Sequence, residues 1–422
     1  MRVTAVLFFI LSITATAFGQ NRVLWDEQFD ADGGSDIARA IAVTGKTVVV
    51  TGGTTSTEAG TEMAVRGYNK KTGKTRWSDS TPLVNGLQTA VYATRTAGVI
   101  YTAGYAPNGA GSDIAVYAYN ANTGAQLWQN LLDRGRDDFP RDLAASAAAV
   151  VVVGSGGNTP GRNVDLLVRA YHPATGRVLW DDQVDTDGQS DAAFRVVLTD
   201  TQVIVGGTTA GATGTSLILR AYDVRTGALL WDVRNVDFSP GALTVRGGRV
   251  FVGGRLRNAS LATTMAFKAT TGKMLWQDQG SAGTIRDMQV RDGQLVEVGS
   301  FGVRLMDVKT GQPAWEVASS VQPGEFEFLS MLELGTNAIY VAGSGGHDFI
   351  DSDSIVRAYD YGGNVIWEDR AYRSPNTQPH ALTLSGRTLF VVGHVTQPDG
   401  VNADFFVRAY DVRDLEQPDE SD

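Results

Sequence analysis

Eight tryptophans recur along the chain at Trp25, Trp77, Trp128, Trp180, Trp231, Trp276, Trp315 and Trp367, separated by 52, 51, 52, 51, 45, 39 and 52 residues. Most of them close one short phrase, seen in full at Ala221-Tyr222-Asp223-Val224-Arg225-Thr226-Gly227-Ala228-Leu229-Leu230-Trp231. Self-similarity at 40 to 50 residues marks a propeller or solenoid, whose modules bury their apolar faces against one another. A length of 422 residues would otherwise suggest two or three domains. The repeat makes it one body.

Within a repeat the pattern is that of short strands. Ile37 to Val43 alternates, Thr44-Gly45-Lys46 turns, and Thr47 to Gly53 is a β-branched run. A polar loop, Met63 to Tyr68, the turn Lys71-Thr72-Gly73 and the Trp77 strand complete the unit. Turn signals every 8 to 12 residues indicate four-stranded meanders, and so an all-β protein. Gly73, Gly124, Gly176, Gly227, Gly272 and Gly311 hold one place after Thr, where a tight turn needs positive φ.

Seven units end in Trp; an eighth begins near Pro379 and reaches Ala409-Tyr410-Asp411 with no Trp after it. The chain instead opens on an orphan strand, Val23-Leu24-Trp25-Asp26, worded like Val178-Leu179-Trp180-Asp181. The expected fold is therefore an eight-bladed β-propeller over residues 20–413, closed by Val23 to Phe29 as the last strand of blade 8. Such closure leaves only short outer edges.

The ends read differently. Arg2, the apolar run Ala5 to Ile13 and Ala17-Phe18-Gly19 form the pattern of a signal peptide over residues 1–19, so export to the periplasm or the extracellular space is expected. The run is too short to span a bilayer. Asp414 to Asp422 is acidic and without apolar pattern, the composition of a solvated tail. The chain has no cysteine, which excludes disulfides, thiolate metal sites and cysteine nucleophiles. A net charge of −10 argues against nucleic acid, or an anionic membrane, held by a generally basic surface. A monomer is the expected state.

The phrase Ala-x-Asp-x-x-Thr-Gly-x-x-x-Trp resembles the PQQ-type β-propeller repeat. It is nearly complete in the fourth unit and degraded at Tyr119-Asn120 with Thr123-Gly124 and Trp128, and at Met306-Asp307 with Thr310-Gly311 and Trp315. The resemblance covers roughly residues 21 to 413 and implies that the tryptophans pack between blades. Two activities are associated with this family: quinone-dependent dehydrogenases, and the scaffold subunit of the bacterial outer-membrane assembly machinery. The dehydrogenases are usually longer, many carry an adjacent cysteine pair, and they hold calcium with Glu, Asn and Asp. No residue of this chain aligns with their catalytic aspartate. The scaffold is a lipoprotein, and this chain lacks the cysteine that a lipid anchor needs.

Four groups of residues carry chemistry. Asp30, Asp32 and Asp36, and in the same wording Asp185, Asp187 and Asp191, surround Gly turns; they read either as Asx-rich strand caps or as calcium loops. Arg39, Arg141, Arg195 and Arg286 open the first strands of their repeats, with His380 in the eighth. They read either as a ring of cations for an anionic group or as local ion pairs with Asp36, Asp138 or Asp142, Asp191 and Asp287. His380 and His394 fall across a turn at Gly386, with His347 on the loop of the preceding repeat, a conceivable metal set. Tyr105, Phe139, Phe238, Phe326 and Phe328 are candidate rim aromatics for a carbohydrate. The expected function is a non-catalytic exported scaffold that binds a protein or an anionic ligand at one rim, without a cofactor beyond calcium. The alternatives are a quinone-dependent dehydrogenase and a carbohydrate-binding propeller.

Overall fold

The computed structural model describes residues 22–31, 33–56, 60–83, 92–96, 98–107, 111–135, 137–157, 163–186, 188–211, 214–235, 237–319, 325–347, 352–371, 376–397, 400 and 402–417; the signal-peptide pattern at 1–19 lies outside them. Among the described residues, thirty-two strands form eight four-stranded antiparallel sheets. Seven sheets follow chain order. The eighth runs Val23–Phe29, Ala403–Asp411, Thr388–Thr396, Thr377–Ser385, so the first strand of the chain completes the last blade. Trp25 pairs with Ala409 and Asp26 with Arg408 across that closure.

The first strands of the blades pack against one another round the ring and line the central channel. The second and third strands are covered on both faces. Val48, Val49 and Val50, or Val150 to Val153, are therefore continuous apolar runs with next to no exposure. The buried apolar side chains fall into eight clusters, and each cluster spans two neighbouring blades. No blade has a core of its own; stability is a chain of nearest-neighbour interfaces.

The tryptophans set those interfaces. Each lies on a fourth strand, and in all but Trp367 the indole N–H crosses to the next blade. Trp25 donates to the Lys70 carbonyl (3.1 Å), Trp77 to Ala121 (3.1 Å), Trp180 to Val224 (3.0 Å) and Trp231 to Ala269 (2.8 Å). The accepting carbonyls lie in or beside the turn that carries the Thr-Gly pair. Gly124 shows why that glycine is needed: its φ is +74°, and a Cβ there would lie 2.5 Å from the Trp77 ring. Trp367 has no such turn to meet in blade 8. Tyr410 packs against it instead (5.1 Å between ring centroids), and the Arg22 guanidinium lies 5.9 Å from its centroid while pairing with Asp414. Glu416 accepts from the Tyr340 hydroxyl (2.7 Å) and the Thr336 amide (2.6 Å). The acidic segment is thus tied to blade 7 at its start, while residues 418–422 lie outside the described set.

A second interlock went unread in the sequence although its wording is plain. The dipeptide-spaced Arg and Tyr of Arg220-Ala221-Tyr222, Arg357-Ala358-Tyr359 and Arg408-Ala409-Tyr410 stand on third strands. Arg408 bridges Asp26 of its own blade (3.0 Å) and Asp369 of blade 7 (3.3 Å), and Tyr410 donates to the same Asp369 (2.7 Å). Arg220 with Tyr222 repeats this on Asp182 and Asp232. Arg304 is buried against Glu297 (2.6 Å) and Asp278 (2.8 Å). Removing one partner of such a buried pair strands the other charge, at about 3–5 kcal/mol.

Two outcomes follow. A chain beginning at Asp36, lacking the closing strand, melts well below the protein that retains Val23–Phe29; equal melting temperatures would refute the closure. Gly124→Ala forces the left-handed backbone, about 1–2 kcal/mol, and drives a methyl group into the Trp77 ring. Gly45→Ala, at φ +54° with open space around it, incurs the backbone cost alone. Chemical denaturation of the two variants should therefore show the larger loss at Gly124.

Candidate functional site

The channel mouth is built by a β-bulge repeated in the first strands. In seven blades the ladder skips one residue, which is left unpaired on the channel side. The skipped residues are Arg39, Arg141, Phe194, Gly241, Arg286, Ser330 and His380. The corresponding place in blade 2 lies outside the described residues. Arg39, Arg141, Arg286 and His380 share one position, as the sequence suggested. Arg195 does not. Phe194 takes the bulge in blade 4, and Arg195 stands one residue further, in register with Asp142 and Asp287.

That shift changes what the arginines do. Arg195 faces the channel and its charge acts on both Asp142 and Asp287. Burial pushes both carboxyls up, Asp287 to about 7, while the Arg195 charge and backbone amides pull the other way. Asp142 accepts from the amides of Leu143 (2.9 Å) and Val196 (2.9 Å), and Asp287 from Met288 (2.8 Å) and Leu332 (3.0 Å). Val196 and Leu332 belong to the next blade. These carboxylates therefore satisfy edge-strand amides that no ladder reaches, and tie one inner strand to the next.

The remaining acids also accept from backbone amides, but Asp138 and Asp191 each keep one oxygen without a partner among the described residues. Asp36 accepts from Ala31 (2.6 Å) and Thr55 (3.3 Å), Asp138 from Arg134 (2.6 Å), and Asp191 from Thr186 (2.6 Å). All three have essentially no exposure. Burial raises their pKa values, to about 6 for Asp36 and Asp138. The local ion pairs expected between these aspartates and the bulge arginines are not how Arg141 and Arg286 are held. Both are exposed, Arg141 at 5.8 Å from the Phe194 ring centroid and Arg286 at 5.0 Å from that of Phe328. Cation–π contact leaves a guanidinium free to accept an anion.

In the aspartate loops, Asp30 accepts from the Gly33 amide (2.7 Å) and Asp185 from Gly188 (2.8 Å), which closes each turn. Asp32 and Asp187 lie outside the described residues. The one group of three acids close enough to share a cation, among the described residues, is elsewhere: Asp113, Asp133 and Asp138. Of the rim aromatics, Tyr105 and Phe139 meet edge to face (6.1 Å), Phe328 lies under Arg286, and Phe238 is wholly buried, so it offers no surface to a sugar.

His380 and His394 do come together, with Nε2 and Nδ1 2.8 Å apart and rings stacked at 5.0 Å. His347 is not with them; it lies 3.6 Å from Glu325. Burial, and then the neighbouring Arg39 charge, lowers the pair to about 3 for His380 and about 4 for His394. Both rings are thus neutral at neutral pH. The sign follows: the unfolded rings protonate near 6.5, so the stability from the neutral pair is present above that pH and is lost as pH falls towards 4. NMR titration of the ring protons should show no protonation of either residue from pH 8 to 5; a midpoint above 6 for either would contradict this packing.

The chain matches the family described as outer membrane protein assembly factor BamB over residues 12–216 and 214–397. No curated protein is similar enough in sequence to match it. Among solved structures it is similar to BamB from Moraxella catarrhalis, at 18% identity and TM-score 0.53, covering 91% of this chain and 96% of that one. It is similar to Chaetomium thermophilum Sqt1, solved bound to the N-terminus of ribosomal protein L10, at 12% identity and TM-score 0.61 over 91% and 98%. The computationally designed Ika8 protein superposes with TM-score 0.59 at 16% identity, over 91% and 98%. At such identities the structures share the fold. The family match spans most of the chain, and the protein belongs to the BamB-like family of β-propellers.

Proposed function

We propose that this propeller is a non-catalytic, exported scaffold that binds a protein partner through an anionic group placed at the channel mouth. One observation carries the reading. The aspartates next to Arg141 and Arg286 spend their oxygens on backbone amides, leaving two exposed guanidinium groups on aromatic rings at equivalent places of the mouth. Arg39 occupies the same bulge in blade 1. A carboxylate entering there meets planar donors suited to bidentate contact.

Catalysis is not part of the proposal, because Asp142 and Asp287, the carboxyls beside the bulge arginines, have both oxygens engaged by amides. The family and the propeller neighbours support a binding role. Export rests on the signal-peptide pattern at residues 1–19.

A photo-crosslinking residue in place of Ser330, the bulge residue of blade 7 at the same mouth, tests this in the producing cell. The expected product is a discrete protein adduct that is lost when Arg39→Glu and Arg141→Glu are added and that weakens with salt. The same crosslinker in place of Gln277, exposed on an outer strand, should not give it. An identical adduct from both positions, or one that survives the charge reversals, would defeat the proposal.

A further inference from the structure

Lysine is segregated in this molecule. All seven lysines, Lys46, Lys70, Lys71, Lys74, Lys268, Lys273 and Lys309, stand in or beside the turns that join first to second or third to fourth strands. In an antiparallel blade those turns share one face, opposite the mouth where the bulges lie. Arginines, by contrast, occur on both faces. The chain as a whole is at −10, so this face stands out against an otherwise acidic molecule. Several carboxylates on the face are folded back on their own turns: Asp223 accepts from Arg225 and Thr226, Asp307 from Lys309 and Thr310, and Asp360 from Asn364.

A second observation falls on the same face. Of the seven exposed large apolar side chains among the described residues, six are Leu24, Leu127, Leu229, Leu230, Met274 and Leu275. Each is the first or second residue of a fourth strand, directly after a turn of the lysine face or, for Leu24, at the strand end beside it. They are 41–50% exposed. The seam where blade 8 meets blade 1 joins the two features. A cavity of about 690 Å³ opens there, lined by Leu24, Lys46, Lys70, Lys71, Arg387 and Arg413, with Asp411. Lys70 donates to the Ser385 hydroxyl (2.8 Å), and Arg413 is paired with Asp411. Lys46, Lys71 and Arg387 are exposed and have no carboxylate partner among the described residues.

We propose that the lysine face docks on an anionic phospholipid bilayer, with a head-group phosphate entering the seam cavity between Lys46, Lys71 and Arg387. Lysine is a compact point charge suited to phosphate, and leucines at the face edge reach the head-group and acyl boundary. Docking this way turns the arginine mouth away from the membrane, towards a partner. A net charge of −10 excludes a generally basic surface, but a segregated one survives it.

Co-sedimentation of the purified protein with phosphatidylcholine vesicles containing about one third phosphatidylglycerol tests the proposal. The expected result is binding to these vesicles and not to pure phosphatidylcholine, falling as salt shortens the screening length to about 8 Å. Combining Lys46→Glu, Lys71→Glu and Arg387→Glu should lower the bound fraction on the order of tenfold. Leu24→Ser with Leu230→Ser should lower it without changing charge. Arg255→Glu, on the opposite face, should leave it unchanged. Absence of sedimentation, or an equal loss with Arg255→Glu, overturns the proposal. So does saturation of the seam by inorganic phosphate with no binding to vesicles.

Discussion

The structure depends on one contact made again and again: an indole from the last strand of a blade lying on the Thr-Gly turn of the next. The ring needs a neighbour with no Cβ, and the turn needs a residue that adopts positive φ. Glycine answers both demands at Gly124 and its equivalents. Because every apolar cluster spans two blades, no blade is stable alone and the ring has to close. The absence of a ninth tryptophan and the presence of Trp25 at the start of the chain are two sides of that one constraint. The buried arginines act at the same seams. Arg408 joins the closing strand, through Asp26, to blade 7, through Asp369, in one side chain.

The fold was legible because the two halves of the docking contact, which meet across a blade interface, are written together in one short phrase. Gly227 and Trp231 stand four residues apart in one phrase, so periodicity exposes blade number, strand order and closure together. The site was legible only in part. Arg39, Arg141, Arg286 and His380 could be placed by counting from the repeat, but Arg195 could not. A bulge moves the register by one, and Phe194-Arg195 offers two residues for one place. Partners were less legible still. An aspartate beside an arginine reads as an ion pair, yet an inner strand is also an edge whose amides lack a ladder. For Asp142 and Asp287 the amides of the next blade won. The Arg-Ala-Tyr phrase was in plain view, and its role emerges only when third and fourth strands of adjacent blades are seen side by side.

The same edge-strand requirement connects fold to function. Carboxylates that satisfy amides are withdrawn from the arginines, and the arginines then rest on Phe194 and Phe328 with their charge available. His380 takes the bulge in blade 8 but contributes no charge, since burial and Arg39 keep it and His394 neutral. The bulge cations of the mouth therefore come from blades 1, 3 and 6, unevenly spaced round the axis, rather than from a complete ring. A partner that fits this uneven spacing has a defined orientation about the propeller axis.

A propeller separates its two faces by construction, because alternate connections in every blade emerge at opposite ends. A bias in how charge is distributed between the two kinds of turn becomes a polarity of the whole disc, and here the lysines of blades 1, 5 and 6 supply it. Here lysine is confined to one set of turns and the bulge arginines to the opposite mouth. Neither arrangement is demanded by packing, for Lys71, Lys74 and Lys273 are exposed beside turns whose geometry comes from Asx and Gly residues. A fold needs the glycine and the tryptophan at these places; it has no need of the lysine. What the ring leaves unconstrained is where selection for a surface acts, and in this chain the unconstrained positions are sorted by face.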